Sequence, residues 1–149
     1  MRAVVQRVSS AYVKVNNEIV GSINRGLCVL IGIGIDDDIE DARYLVDKII
    51  NLRIFEDEQG KFNLSLLDIK GEVLVISNFT VMGDARKGKR PNFMNAAPKD
   101  VATMLYENVI ELFKSYNINV QTGIFQAHMD VNILNDGPVT IILDSKKAF

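Results

Sequence analysis

The sequence predicts one α/β domain over residues 1–149, with a mixed sheet and two helices. Three observations lead there. Val and Ile make up 33 of the 149 residues and cluster in short runs, as strands require. Two segments, 39–51 and 98–113, place apolar residues at helical spacing. A length of 149 residues, 48% apolar and 24% charged, suits a single domain with a core of its own and excludes disorder and collagen-like repeats.

The elements follow in order. Residues 2–8 (RAVVQRV) and 11–15 (AYVKV) read as strands, and Asn16-Asn17 turns the chain into EIVG. LCVLIGI is a continuous apolar run, which suits a strand covered on both faces. The acidic cluster Asp36–Asp38 supplies an N-cap and favourable charge for a helix to about residue 51, with Ile39, Ala42, Val46, Ile49 and Ile50 inward. LRIF, the turn DEQG and KFNLSL form a hairpin, and EVLVISN (72–78) is a further central strand. Residues 82–97 read as a long loop, a length that usually marks function or disorder. Pro98 suits the first turn of the second helix, whose core stripe is Val101, Met104, Leu105, Val109, Leu112 and Phe113. Three strands finish the chain: NVQTG, FQAHMDVNIL and, after the turn NDGP, VTIIL.

Charge and cysteine usage narrow the function classes. With 17 Lys+Arg against 19 Asp+Glu the net charge is −2, so any polyanion must be held by a local patch. A lone Cys28 rules out an internal disulfide and fits a reducing compartment. The longest apolar stretch, residues 27–35, falls well short of the ~20 residues a spanning helix needs. The N-terminal apolar run is broken by Gln6 and Arg7, unlike a signal peptide. The expectation is a cytoplasmic protein with no membrane segment.

Most of the usual catalytic parts are missing. Alternation puts His128 on the polar face of the FQAHMDV strand, with Phe125, Ala127 and Met129 on the other. One His and one Cys supply no zinc set, and Cys28 sits in an apolar run as a small core hydrophobe. Gly32 and Gly34 partly echo a dinucleotide turn, but the third glycine is absent and Asp36–Asp38 would repel a pyrophosphate. No metal and no cofactor is expected. Arg86, Lys87, Lys89 and Arg90, four cations in five residues, stand out as a local anion site, with a solvated loop as the alternative. Ser77, Asn78, Phe79 and Thr80 lie close by in sequence, at the C-terminal end of a buried strand. That is where α/β sheets place phosphate-bearing ligands. Pro138 directly after Asp136-Gly137 disturbs a plain hairpin reading, since it removes a backbone donor where the ladder should begin.

Four ordered segments carry a resemblance over essentially the whole chain: SNFTV (77–81), KGKRPNF (87–93), TGIFQAHM (122–129) and NDGPVT (135–140). Together they resemble the D-aminoacyl-tRNA deacylases. The resemblance implies mixed sheets wrapped barrel-like with two main helices, and a homodimer that hydrolyses the ester between tRNA and a D-amino acid. It implies a cis Gly137-Pro138 peptide inserted into the partner's active site, with Arg7 helping to hold it. It also implies Phe79 and Thr80 beside the ester carbonyl, and Phe125 and Met129 around the terminal adenosine. Asn78 stands where the family has Gln, one methylene shorter. Whether Thr80 attacks or the ribose 2′-OH assists is left open. So are a non-catalytic binder of the aminoacyl-tRNA 3′ end and a structural dimer with an ordinary Gly-Pro turn.

Overall fold

The computed structural model describes all residues, 1–149. β1 (Arg2–Val15) is one long strand where two were expected. One of its edges serves two partners. Arg2–Val8 pairs antiparallel with β3 (Gly26–Gly32), and Ala11–Val15 pairs with β2 (Glu18–Ile23). Asn16 and Asn17 form the two-residue β1–β2 turn with φ of 50° and 64°, the left-handed pair that a twisted hairpin demands. From β3 the sheet continues in parallel through β6 (Glu72–Ser77) to β7 (Val120–Thr122). The far edge then curls back, since a Cβ on Gly21 of β2 would lie 2.5 Å from the Thr122 carbonyl of β7. The sheet is a nearly closed barrel within a mixed α/β domain, the barrel-like wrap that the family resemblance implied.

The hairpin of β4 (Phe55–Glu56) and β5 (Phe62–Leu64) is shorter than its apolar pattern suggested. α1 (Ile39–Asn51) and α2 (Lys99–Lys114) are the two helices. They share a core with one face of the sheet: Leu27, Val29, Val73 and Val75 meet Leu45, Ile49, Leu105 and Val109. Pro98 is the N-cap of α2, one step before its first turn. The expected α2 stripe needs one correction. Met104 is 55% exposed, and Tyr106 takes the buried place beside Leu105. The opposite sheet face carries a second core of Val8, Ala11, Val13, Ile23, Cys28, Leu74 and Ile76. Burial there pushes the Cys28 thiol up to about 12, so it packs as a hydrophobe. No helix is long and apolar enough to cross a membrane.

The largest correction concerns the C-terminal third. The alternating run from Phe125 is not a strand until Asp130; residues 123–129 form an irregular loop with Gln126 at φ 65°. NDGP is not a hairpin turn either. β8 (Asp130–Asp144) runs straight through it, antiparallel to β1 from Lys14 to Arg2. Between the pairs Val8↔Asn135 and Gln6↔Thr140 the two strands differ in length, so residues 136–139 bulge out of the ladder.

Near the start of α1, three acids organise the termini. Asp38 caps the helix by accepting from the Glu40 and Asp41 N–H groups, and Asp41 returns the bond to the Asp38 N–H. Asp37 accepts from the Gly34 N–H and the Met1 ammonium, both at 2.5 Å. Lys146 donates to Asp41 at 2.7 Å. Burial raises the Asp41 carboxyl, but hydrogen bonds from Lys146, Ser145 and the Asp38 N–H outweigh it and hold the group at about 2. Its stabilisation is therefore complete above its ordinary range and is lost as pH falls towards 2. It amounts to about 1–2 kcal/mol after allowance for the half-exposed lysine. Lys146→Met should lower urea stability at pH 7, and its deficit from wild type should narrow at pH 3. An equal deficit at both pH values would show that the lysine does not hold Asp41 ionised.

Candidate active site

β3 and β6 run parallel and end side by side, so their C-terminal ends open a crevice where the backbone ladder stops. The Asn78 N–H donates to the Ile31 carbonyl at 2.8 Å, the last tie between the two strands. Beyond it the chain tightens into a 3-10 turn, Phe79–Met82. A cavity of about 680 Å³ lies here. Ser77, Asn78 and Phe79 form one part of its wall, Phe125 and Met129 another, and Ala96, Ala97 and Lys99 a third. Of the 18 lining residues 13 are hydrophobic, so the cavity suits a largely apolar or aromatic ligand with a few polar contacts.

Neighbouring groups place each wall. Asn78 is the N-cap of the 3-10 turn without capping it; its side-chain oxygen instead accepts from the Thr80 hydroxyl at 2.5 Å. The shorter Asn in place of Gln thus has a role within its own turn. The N–H groups of Phe79 and Thr80, at the start of that turn, have no acceptor in the chain. Phe79 is 59% exposed, and its ring meets Phe93 edge-on at 5.2 Å. Phe125 lies 5.7 Å from the Tyr106 ring, whose hydroxyl donates to the Val75 carbonyl at 2.8 Å. Burial pushes that phenol up to about 12. Met129 folds over Gly123, where a Cβ would fall 2.3 Å from its sulfur, so a larger residue there would push the Met129 side chain aside. The loop 123–129 also brings Gln126 and His128 to the cavity, correcting the expectation of a strand's polar face for His128. The imidazole is 95% exposed, 3.9 Å from Asp130.

The remaining sequence candidates fall elsewhere. Arg86, Lys87, Lys89 and Arg90 occupy the exposed tip of a hairpin closed by the Asp84–Asn92 pairing, with Gly88 at φ 72°. Phe93, at its foot, links it to Phe79. Arg86 is not a free cation. It chelates Asp84 through Nε at 2.9 Å and a terminal nitrogen at 2.6 Å, which holds the Asp84 carboxyl well below the usual carboxylate range. Lys87, Lys89 and Arg90 make no ion pair within the chain.

Gly137 and Pro138, joined by a cis peptide, sit exposed on the β8 bulge and do not line this chain's cavity. The bulge is tied at its neck by Asn135, a residue the sequence reading passed over as part of a turn. Its amide donates to both the Arg7 and Val139 carbonyls at 3.0 Å. Arg7, only 3% exposed, braces the bulge from below. Its guanidinium donates to the Ile54 carbonyl at 2.8 Å and lies 3.3 Å from Glu56, with the Phe62 ring at 5.4 Å. Nε stands 3.0 Å from the Asp136 carboxylate, an ion pair without an aligned hydrogen bond. The sequence thus brings Ser77, Asn78, Phe79, Phe125 and Met129 together in one cavity. It gathers Arg7, Gly137 and Pro138 in another place.

Comparison with known proteins bears on the family and the fold. A family model described as D-Tyr-tRNA(Tyr) deacylase matches residues 4–144. The chain is 65% identical over 149 residues to a protein of Caldicellulosiruptor saccharolyticus named D-aminoacyl-tRNA deacylase, and 58% identical to one so named from Thermosipho africanus. Each alignment covers 100% of both chains. Among solved structures, a c-Myc DNA unwinding element binding protein superposes with a TM-score of 0.92 at 44% identity, covering 97% of this chain and 98% of that one. A probable eukaryotic D-amino acid tRNA deacylase shares the fold, with a TM-score of 0.82 at 20% identity over 95% and 97% of the two chains. With a family model spanning nearly its whole length and relatives this close, the chain belongs to the D-Tyr-tRNA(Tyr) deacylase family.

Proposed function

We propose that this protein is a hydrolase that cleaves the ester between a D-amino acid and the 3′ end of tRNA, releasing both, and works as a cytoplasmic homodimer. Family membership supports the ester substrate. One observation carries the mechanism: neither hydroxyl of the 77–80 segment meets a base. The Thr80 hydroxyl is donated to an amide oxygen, and the Ser77 hydroxyl makes no hydrogen bond to an imidazole or a carboxylate, although His128 lines the same cavity. Such a site suits a labile bond whose substrate brings its own assistant, and an aminoacyl ester has a ribose 2′-OH next to the carbonyl. The protein then supplies position and donors. The free N–H groups of Phe79 and Thr80 take the developing oxyanion, Phe125 and Met129 hold the terminal adenosine, and Lys87, Lys89 and Arg90 meet phosphates of the RNA.

Gly137 and Pro138 act in the partner's cavity on this reading. Two features support that. Both residues are exposed and absent from their own cavity wall, and Leu134 and Ile142, each 58% exposed, flank them on β8. Large aliphatics beside an exposed bulge suit a self-association surface. Backbone inserted against the substrate α-carbon excludes an L side chain and leaves room for a D one. Glycine has no Cβ to collide, so glycyl-tRNA, including glycine mischarged on alanine tRNA, passes the filter. Gly137→Ala is a poor probe of this filter. The new methyl would meet Val139 Cγ2 at 2.8 Å and an Arg7 nitrogen at 3.2 Å in its own subunit, at a φ of 117°.

Substrate choice tests the filter directly. Purified protein should release D-tyrosine, D-alanine and glycine from their tRNAs and spare L-tyrosyl- and L-alanyl-tRNA. Saturable binding without turnover would favour a binding module. Resistance of glycyl-tRNA alongside cleavage of D-alanyl-tRNA would mean positive recognition of the D side chain.

The role of Thr80 is tested by two substitutions, one in each partner. Thr80→Ala should cost less than about tenfold in kcat, where loss of a nucleophile costs roughly a thousandfold or more. A 2′-deoxy terminal adenosine should slow the wild type far more. A dead Thr80→Ala enzyme with an unaffected deoxy substrate would restore Thr80 as the nucleophile.

For the hairpin, replacing Lys87, Lys89 and Arg90 with Ala should raise KM and reduce the log–log salt slope by about 2, at roughly 0.7 per phosphate. Asp84→Asn, which releases Arg86, should lower KM. An unchanged slope in the triple variant would return the hairpin to a merely solvated loop.

A further inference from the structure

The cavity wall holds five residues that are not hydrophobic: Ser77, Asn78, Lys99, Gln126 and His128. None is a carboxylate, and Lys99 alone carries an ammonium. Lys114 and Lys146 pair with acids, whereas Lys99 makes no ion pair. Its position runs against helix electrostatics. Lys99 is the first helical residue of α2, at the end where unpaired N–H groups already concentrate positive charge and where acids are favoured. A cation placed there, solvent-exposed at the edge of a mostly apolar cavity and unneutralised by its own chain, adds to the local field that favours an anion. Nothing in the fold uses that field.

The proposed substrate has one anion at the right scale. A terminal aminoacyl-adenosine is neutral in its base, ribose and ester, and its amino group is cationic. Its sole negative group is the 5′-phosphodiester that joins it to the preceding nucleotide. We infer that Lys99 binds this 5′-phosphate and so fixes how far the terminal nucleoside enters the cavity. The inference rests on the reading of the cavity as a site for the terminal adenosine. It separates two electrostatic roles: the 87–90 hairpin gathers the RNA from outside, and Lys99 sets the final register inside.

Two minimal substrates isolate the contact: 3′-(D-tyrosyl)adenosine and the same ester carrying a 5′-phosphate. In the wild type the phosphate should lower KM by about tenfold, the scale of one hydrogen bond to a charged group. In Lys99→Gln that ratio should fall to about one, and Lys99→Arg should restore most of it. A ratio that survives Lys99→Gln, or no phosphate advantage in the wild type, overturns the assignment. Calorimetry with the non-hydrolysable 3′-amide analogue, with and without 5′-phosphate, gives the same comparison without turnover. A phosphate advantage there that Lys99→Gln abolishes, with no ester cleavage, would uphold the phosphate site and sink the hydrolase. Cleavage of both esters with no Lys99 dependence would do the reverse.

Discussion

Eleven residues of β1 pair with β8, from Arg2↔Asp144 to Lys14↔Asp130, so the chain's first and last strands run together for almost their whole length. Side chains alternate along such a ladder, and a slip by one residue would turn every inward group outward. The register is fixed on β1 by Ala3, Val5, Val8, Ala11 and Val13, all buried. With β1 so fixed, its other edge has room for β3 along one half and β2 along the other, and the barrel curls from that branch. The ladder can absorb its extra residues only as a bulge, and the bulge is where Gly137 and Pro138 stand. The features that distinguish this fold thus follow from two long strands of unequal count held in register.

Arg7 shows what the bulge requires energetically. A guanidinium at 3% exposure needs partners, because an unpaired buried charge costs several kcal/mol. The partners come from three elements: the Ile54 carbonyl, Glu56 of β4 and Asp136 of the bulge. Two half-exposed carboxylates about one arginine leave an excess of negative charge at the base of the motif. The short β4–β5 hairpin, with Phe62 over the guanidinium, looks slight as structure but closes this pocket from outside. Asn135 adds a neutral clip to the charged brace.

Much of this was legible in the residues, and the failures share a cause. The helix start at Asp38, the Asn16-Asn17 turn and the buried central strands came from local chemistry that decides local structure. The β8 bulge did not, because Asn-Asp-Gly-Pro carries the same turn signal whether the chain reverses or continues. The choice depends on β1, more than 120 residues away in sequence. Phe125–Met129 misled in the opposite way. Five residues alternate by composition while the backbone coils over Gly123, and no strand lies alongside to reward the extended form. Arg86 read as a free cation because its neutraliser, Asp84, lies two residues away across a turn. Lys99 was invisible as a cavity residue, since only the approach of α2 to the end of β6 puts it there.

The division of the site between two places is the remaining consequence. A cavity whose one lining hydroxyl, Ser77, is hydrogen-bonded to no base, and which has no element to read the chirality of an α-carbon, is incomplete for a discriminating hydrolase. The Gly137-Pro138 bulge, proposed above as that element, is exposed on β8, braced by Arg7 and absent from its own cavity wall. On the proposed reading, a second copy resolves both facts at once. The brace then matters more than the tip, because exclusion works only if the excluding backbone cannot yield: a loop that moved by one methyl radius would admit an L side chain. This accounts for an arginine buried at electrostatic cost beneath a surface bulge. Ester cleavage asks little of the protein beyond donors and position, whereas rejection of the far more abundant L-aminoacyl-tRNA asks for stiffness. On that reading the hydrogen bonds of Asn135 and Arg7 serve the rejection step, away from the cavity where the ester would be cut.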